Sequence, residues 1–385
     1  MGNVFKGLLA VIAVFTLALM SACGGNSETS GEQSDGSGDG TVDVKVGVIS
    51  WLTGAGAGYG EAITNGFELA NTEIKEEGKV NIELITEDSA GKQEQALSSA
   101  QKLMNSENVS MILGPTLSTE MKVVAPEADL NGVPIMGTST TASGIPQIGD
   151  YVFRNSIPES LAIPAAVSSA VEKYDAKKVA ILYGNDDVFT KSGYDTMKKV
   201  AEEQGLEVLT TETFQKGQAD YNAQLTKIKD TKPDLILCSA LYNEGAVIMD
   251  QARKMGIDVP FVGGNGFNSP EVIKIAGDAA NGLIVATPWF GGSEDEKVQT
   301  FVDKYKEEYG NEPDQFAAQA YDALYILADA IERAGSDDRD AIRDALAETE
   351  GFEGVLGEMS FDEEGDIVME PTVLTIKDGK FQPFE

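Results

Sequence analysis

Four glycine- and hydroxyl-rich segments hold the residues best suited to gripping a small anion: SWLTGAGAGYGE (50–61), GPTLSTE (114–120), GTSTTASG (137–144) and GGNGFNSPE (263–271). Ser and Thr hydroxyls supply donors, and glycine lets backbone N–H groups approach closely. Beside helix N-termini such segments clamp a carboxylate without arginine. Covalent chemistry is poorly supplied by comparison. The chain has no histidine, which removes the commonest general base and the commonest transition-metal ligand. A Ser-His-acid triad is therefore impossible, and Ser118 lacks the strained turn of a nucleophile elbow. GAGAGYG imitates a dinucleotide loop, but no Lys-Ser or Lys-Thr pair follows it as a phosphate clamp requires. DEEGD at 362–366 lacks EF-hand spacing and reads as a solvated turn. The expectation is a binding protein with no catalytic residue, metal or cofactor.

The elements that must carry these loops alternate short apolar runs with amphipathic stretches, which implies a doubly wound α/β architecture. VKVGVIS (44–50), NIELITED (81–88), VSMILGP (109–115) and VPIMGTS (133–139) read as strands of a first set. KKVAILYGND (177–186), LEVLTTETF (206–214), PDLILCSA (233–240) and VPFVGGNG (259–266) form a second. Two sets imply two sheets and two lobes, and ligands of such sheets sit beyond the carboxyl ends of the strands. The span from Phe301 to Ala334 reads as helix, with Phe316, Ala320, Leu324, Leu327 and Ile331 along one side. The tail reads as antiparallel strands turning at Glu364 and Gly365.

Composition narrows the partners. Asp and Glu total 63 against 29 Lys and Arg, a formal net charge of -34. Such a surface repels phosphate backbones, so no nucleic-acid partner is expected, and it suits a salt-rich exterior where the self-repulsion is screened. At the start, Lys6 precedes a sixteen-residue apolar stretch, Gly7 to Ala22, too short for a comfortable bilayer span and typical of a signal peptide. Met20, Ser21, Ala22 and Cys23 resemble the bacterial lipoprotein cleavage motif, with Cys23 as the acylated residue. The following GGNSETSGEQSDGSGDG contains no large apolar side chain and reads as a flexible leash. Cys238, inside a strand pattern, reads as a buried small hydrophobe.

Taken with their order, VKVGVISWLTGAGAGYG, ILGPTLST, PIMGTSTT, YGNDDVFTKSG and FVGGNGFNSPE make residues 42 to about 380 resemble the branched-chain amino-acid binding proteins. These are the leucine/isoleucine/valine group of periplasmic-type receptors that feed ABC importers. The resemblance implies a type I periplasmic-binding-protein fold whose two lobes are joined by a multi-strand hinge. The lobes would be 42–158 with 289–353, and 159–288 with 354–385, after a leader (1–22) and a tether (23–41). It also implies a monomer, lipid-anchored outside the cell, that presents a solute to permease subunits; a sensor of the same build is the alternative.

In the family a ligand carboxylate is held by a serine after the third strand and by a threonine and amides after the fourth. Those roles fall on Ser118, on Thr141 and on the backbone near Ser139. Tyr59 and Tyr242 would cover the ligand from the two lobes, and Phe189 stands where the family commonly has tyrosine. Trp51 shares the first loop and reads equally as cleft lining or packing. Asn265 replaces an acidic residue that pairs with the ligand's ammonium. Either Glu244 supplies the missing anion or the solute has no free ammonium, as in a short amide or a simple carboxylate.

Overall fold

A computed structural model describes residues 41–385. The expected leader, the expected lipidation site Cys23 and nearly all of the expected tether lie outside the described residues. The first lobe begins with β1 (Val42–Ser50), α1 (Ala57–Glu77), β2 (Val80–Asp88), α2 (Gln93–Asn105) and β3 (Met111–Leu113). It continues with α3 (Ser118–Leu130), β4 (Ile135–Gly137) and β5 (Val152–Arg154). All five strands are parallel, in the order β2-β1-β3-β4-β5. The chain leaves β1 toward one edge and returns to β3 on the other side. The loops after β1 and β3 therefore open side by side, the place where such sheets bind ligands.

The second lobe holds α4 (Glu159–Tyr174), β6 (Lys178–Gly184), α5 (Val188–Glu203), β7 (Glu207–Phe214) and α6 (Asn222–Thr231). β8 (Leu235–Ser239), α7 (Tyr242–Lys254), β9 (Phe261–Gly263), α8 (Glu271–Ala276) and β10 (Leu283–Thr287) follow. The chain then returns to the first lobe with α9 (Glu296–Tyr309), α10 (Gln315–Ala334) and α11 (Arg339–Ala347). The helical span expected from Phe301 to Ala334 is thus two helices: Gly310 ends α9 at φ 75°, and Pro313 bars its continuation. In α10 the anticipated apolar stripe is buried, including Phe316, Ala320, Leu324, Leu327 and Ile331.

A small antiparallel sheet of β11 (Phe352–Gly354), β12 (Gly357–Phe361) and β13 (Ile367–Val368) caps the first lobe. Asp322 on α10 pins it by accepting the Val355 and Leu356 N–H groups at 2.9 and 2.8 Å. Only then do β14 (Thr372–Lys377) and β15 (Lys380–Pro383) join the second sheet antiparallel, giving the order β15-β14-β10-β9-β8-β6-β7. The last crossing accordingly falls at 369–371 and not at 353–354, because residues 352–368 are tied to α10 and to Arg154 of β5. The other two crossings are 155–158 and 288–295. Cys238 is fully buried and unpaired in β8, and burial pushes its thiol well above the ordinary range. Among the described residues no helix is long and apolar enough to cross a membrane.

Candidate functional site

The loops after β1, β3, β4 and β9 converge on a cavity of about 20 Å³ between the lobes. One side is polar. Thr116, Leu117 and Ser118 present the start of α3, an end that favours negative charge. Ser118 Oγ accepts the Ala142 N–H at 3.2 Å, which leaves its own proton free for an acceptor. Ser139 Oγ donates to the Thr116 carbonyl at 2.6 Å, so its lone pairs stay available. Glu120 holds this helix start by accepting the Leu117 N–H at 3.1 Å. The opposite side is apolar: Tyr59, Phe189, Leu241 and Phe316, with Asn265 and Gly266 between them.

Each sequence candidate has a definite place. Tyr59, Ser118, Ser139, Phe189 and Asn265 line the cavity together. Tyr242 does not line it; its ring packs on Tyr59 at 4.5 Å between centroids, and its N–H donates to the Tyr59 hydroxyl at 2.9 Å. Trp51 packs under Gly56 and Gly91, donates to the Thr53 carbonyl at 2.8 Å and carries the Lys216 ammonium over its ring. Thr141 lies one step behind the wall, with its hydroxyl toward Glu159. Glu244 accepts the Gly217 N–H at 2.9 Å and is not among the lining residues.

The supports were not singled out from the sequence. Arg154 is 1% exposed; it pairs in a fork with Asp366 and donates to the Thr140 and Ala142 carbonyls, so it anchors the hydroxyl loop from beneath. Asn265 Oδ1 accepts from Gln315 Nε2, and Gln315 Oε1 accepts the Thr287 hydroxyl at 2.7 Å. A lone arginine in YVFRNS was the one available signal for the first of these. Phe316 was visible only as part of a helix stripe, and its second use as a cavity wall depends on where α10 lies.

Hydrogen bonds also run between the lobes along the rim. The Tyr59 hydroxyl donates to the Gly266 carbonyl at 2.5 Å, and the Tyr242 hydroxyl donates to Ala55 O at 2.9 Å. Thr119 donates to Asp187 at 2.6 Å and accepts the Val188 N–H at 2.9 Å. The Ser143 N–H donates to Ser192 Oγ at 2.9 Å. These bonds require the two lobes to be together.

Burial pushes the carboxyls of Glu120, Glu159 and Asp322 up to about 7. An acid raised in the fold binds its proton more tightly folded than unfolded. Its contribution is complete below the ordinary carboxylate range and is lost as pH climbs to about 7. Thermal unfolding of the unliganded protein should therefore occur at a lower temperature at pH 8 than at pH 5. A calorimetric series over that range reads the effect, and a melting temperature that rises with pH contradicts it.

Two α/β lobes that meet over a hydroxyl-lined cleft define a solute-binding protein. The chain belongs to the periplasmic binding protein family, whose model matches residues 43–380, and its relatives place it in the branched-chain amino-acid group of ABC-transporter substrate-binding proteins. The leucine-, isoleucine-, valine-, threonine- and alanine-binding protein of Pseudomonas aeruginosa is 28% identical over 84% of this chain and 87% of its own length. The substrate-binding protein of the Streptococcus pneumoniae branched-chain amino-acid transporter, solved in complex with isoleucine, is 33% identical with a TM-score of 0.83. That match covers 88% of this chain and 97% of the other. A leucine-binding protein of Thermotoga maritima matches at 30% identity and TM-score 0.84, over 88% and 97% of the two chains.

Proposed function

We propose that this protein is the extracytoplasmic receptor of an ABC importer, tethered through an acylated Cys23, that captures a small carboxylate-bearing solute with an apolar body by closing its lobes. An apolar amino acid, branched-chain above all, fits best. The observation that carries this reading is the pairing of two opposed walls in one cleft: hydroxyls and the start of α3 against Tyr59, Phe189, Leu241 and Phe316. The first suits a carboxylate and the second an aliphatic side chain, with water excluded on closure. Each lobe supplies contacts that exist only in the closed form, so a bound solute shifts the population toward it. Relatives that are a leucine-, isoleucine- and valine-binding protein and a receptor solved with isoleucine support the same solute class.

One observation favours a second reading. Asn265 is neutral and engaged with Gln315, and Glu244 is held by Gly217, so no carboxylate lines the cavity. A carboxylate without an ammonium group would fit such walls. Isothermal calorimetry with leucine, leucinamide and 4-methylpentanoate separates the readings. Leucine should bind while leucinamide, which lacks the carboxylate, should not. Equal affinity for leucine and 4-methylpentanoate supports the second reading, and no binding of any branched-chain acid contradicts both. Ser118→Ala should weaken carboxylate binding by about 1–3 kcal/mol, and an unchanged dissociation constant removes that hydroxyl from the site.

A further inference from the structure

We infer that Glu159 is the residue that sets which charge the cleft accepts: its carboxyl, held directly behind Asn265, becomes the anion that compensates a solute ammonium, releasing its proton as the solute binds. The inference rests on the reading that the cleft takes an amino acid. Glu159 begins α4, immediately after the first crossing between the lobes, and is fully buried. Three bonds tie it to both walls of the site. Its N–H donates to Thr141 O at 2.9 Å, and its Oε1 accepts the Thr141 hydroxyl at 3.4 Å and the Asn265 N–H at 2.8 Å. Thr141 belongs to the first lobe's hydroxyl loop, and Asn265 lines the cavity. Glu159 therefore touches, through one peptide N–H, the position at which an ammonium partner is needed.

Its second oxygen is differently placed. Oε2 is buried with no hydrogen-bond partner, and so is Ser239 Oγ. Both lie within 3.5 Å of the point that a Gly193 Cβ would occupy, and Oε2 is 2.5 Å from that of Gly264. A side chain at Gly264 would collide with the carboxyl and one at Gly193 with the Ser239 hydroxyl, so Gly264 leaves the room in which the carboxyl sits. A buried carboxyl oxygen with no donor aimed at it favours the protonated form. Burial, unrelieved by any cation, pushes the Glu159 carboxyl up to about 7.

The groups directly against the Glu159 carboxyl are uncharged. The atoms facing Glu159 come from Thr141, Gly193, Ser239, Gly264 and Asn265, none of which titrates. Arg154, which holds the neighbouring carbonyls of Thr140 and Ala142, is paired with Asp366. On α5, Asp187 is committed to Thr119 and to its own helix start. When an ammonium enters the closed cleft, the low local dielectric strengthens its attraction for a nearby anion; Glu120 is bonded to Leu117 and Asp314 caps α10, whereas Glu159 is the buried carboxyl bonded to Asn265. The proton passes to solvent. A solute without an ammonium leaves Glu159 neutral.

Calorimetric titration of the full mature chain with leucine, at pH 6.5 in two buffers of different ionisation enthalpy, reads this proton directly. The expected result is a net proton released on binding, together with affinity that rises from pH 6 to pH 8. Glu159→Gln keeps the shape and an acceptor oxygen but removes the proton. It should abolish the release and weaken leucine about tenfold or more, while 4-methylpentanoate binding stays unchanged. Glu159→Asp should restore part of the pH dependence. Leucine binding by the natural sequence without proton release overturns the inference whatever the variants do, as does equal weakening of leucine and 4-methylpentanoate by Glu159→Gln. If the natural sequence binds 4-methylpentanoate but not leucine, the amino-acid reading itself has failed.

Discussion

Replacing Arg154 with methionine is expected to lower folding stability by about 3–5 kcal/mol, the largest loss foreseen for a single substitution here. The guanidinium is buried, and every bond it makes has a named partner: Asp366 through two nitrogens, Thr140 O at 3.1 Å and Ala142 O at 2.8 Å. Methionine fills much of the volume but leaves the largely buried Asp366 carboxylate without its cation. That carboxylate sits in the turn before β13, so the small sheet should loosen from β5 as well. Urea unfolding measures the effect. Adding Asp366→Asn to the variant should recover part of the loss, because the stranded charge is then gone; a single substitution that costs under 1 kcal/mol would show the pair to be dispensable.

The second large effect concerns closure and leaves folding nearly untouched. Tyr59→Phe removes one hydroxyl that donates to Gly266 O and accepts the Tyr242 N–H, while the ring keeps its packing on Tyr242 and Phe316 at 4.5 and 4.9 Å. Both orphaned groups belong to the second lobe. With the lobes apart, water satisfies them; with the lobes together they are buried and unpaired, which costs about 1–3 kcal/mol for each group. The solute dissociation constant should rise about thirtyfold or more, with the melting temperature of the unliganded protein little changed. A parallel loss of stability and affinity would instead make Tyr59 a core residue of the first lobe.

The lobes were legible because most of their strands fall in short apolar runs that alternate with helices of 3.6-residue period, two signals that survive without tertiary context. β5, only Val152–Arg154, is too short to show a period, and nothing local to residues 353–371 marks where the chain last changes lobes. Within the site, the hydroxyl loops announced themselves by composition. Their supports did not. Arg154, Glu159 and Gln315 are single polar residues that look solvent-facing in a list, and their meaning comes from partners 212, 106 and 50 positions away. Glu244 shows the converse: proximity to Tyr242 suggested a ligand contact, yet the first turn of α7 aims that carboxylate at Gly217. Tyr242 and Trp51 likewise carry aromatic bulk beside the cleft and use it for packing against Tyr59 and around Gly56 and Gly91.

Small-angle X-ray scattering from the soluble mature chain, with and without saturating leucine, tests lobe closure around a solute more directly than any variant. A contraction of the radius of gyration that saturates at the calorimetric dissociation constant, and that disappears with leucinamide, is the result anticipated from a carboxylate gripped between Ser118 and the facing rings. Profiles that superimpose at every solute concentration, while calorimetry records binding, would place the solute somewhere other than between the lobes.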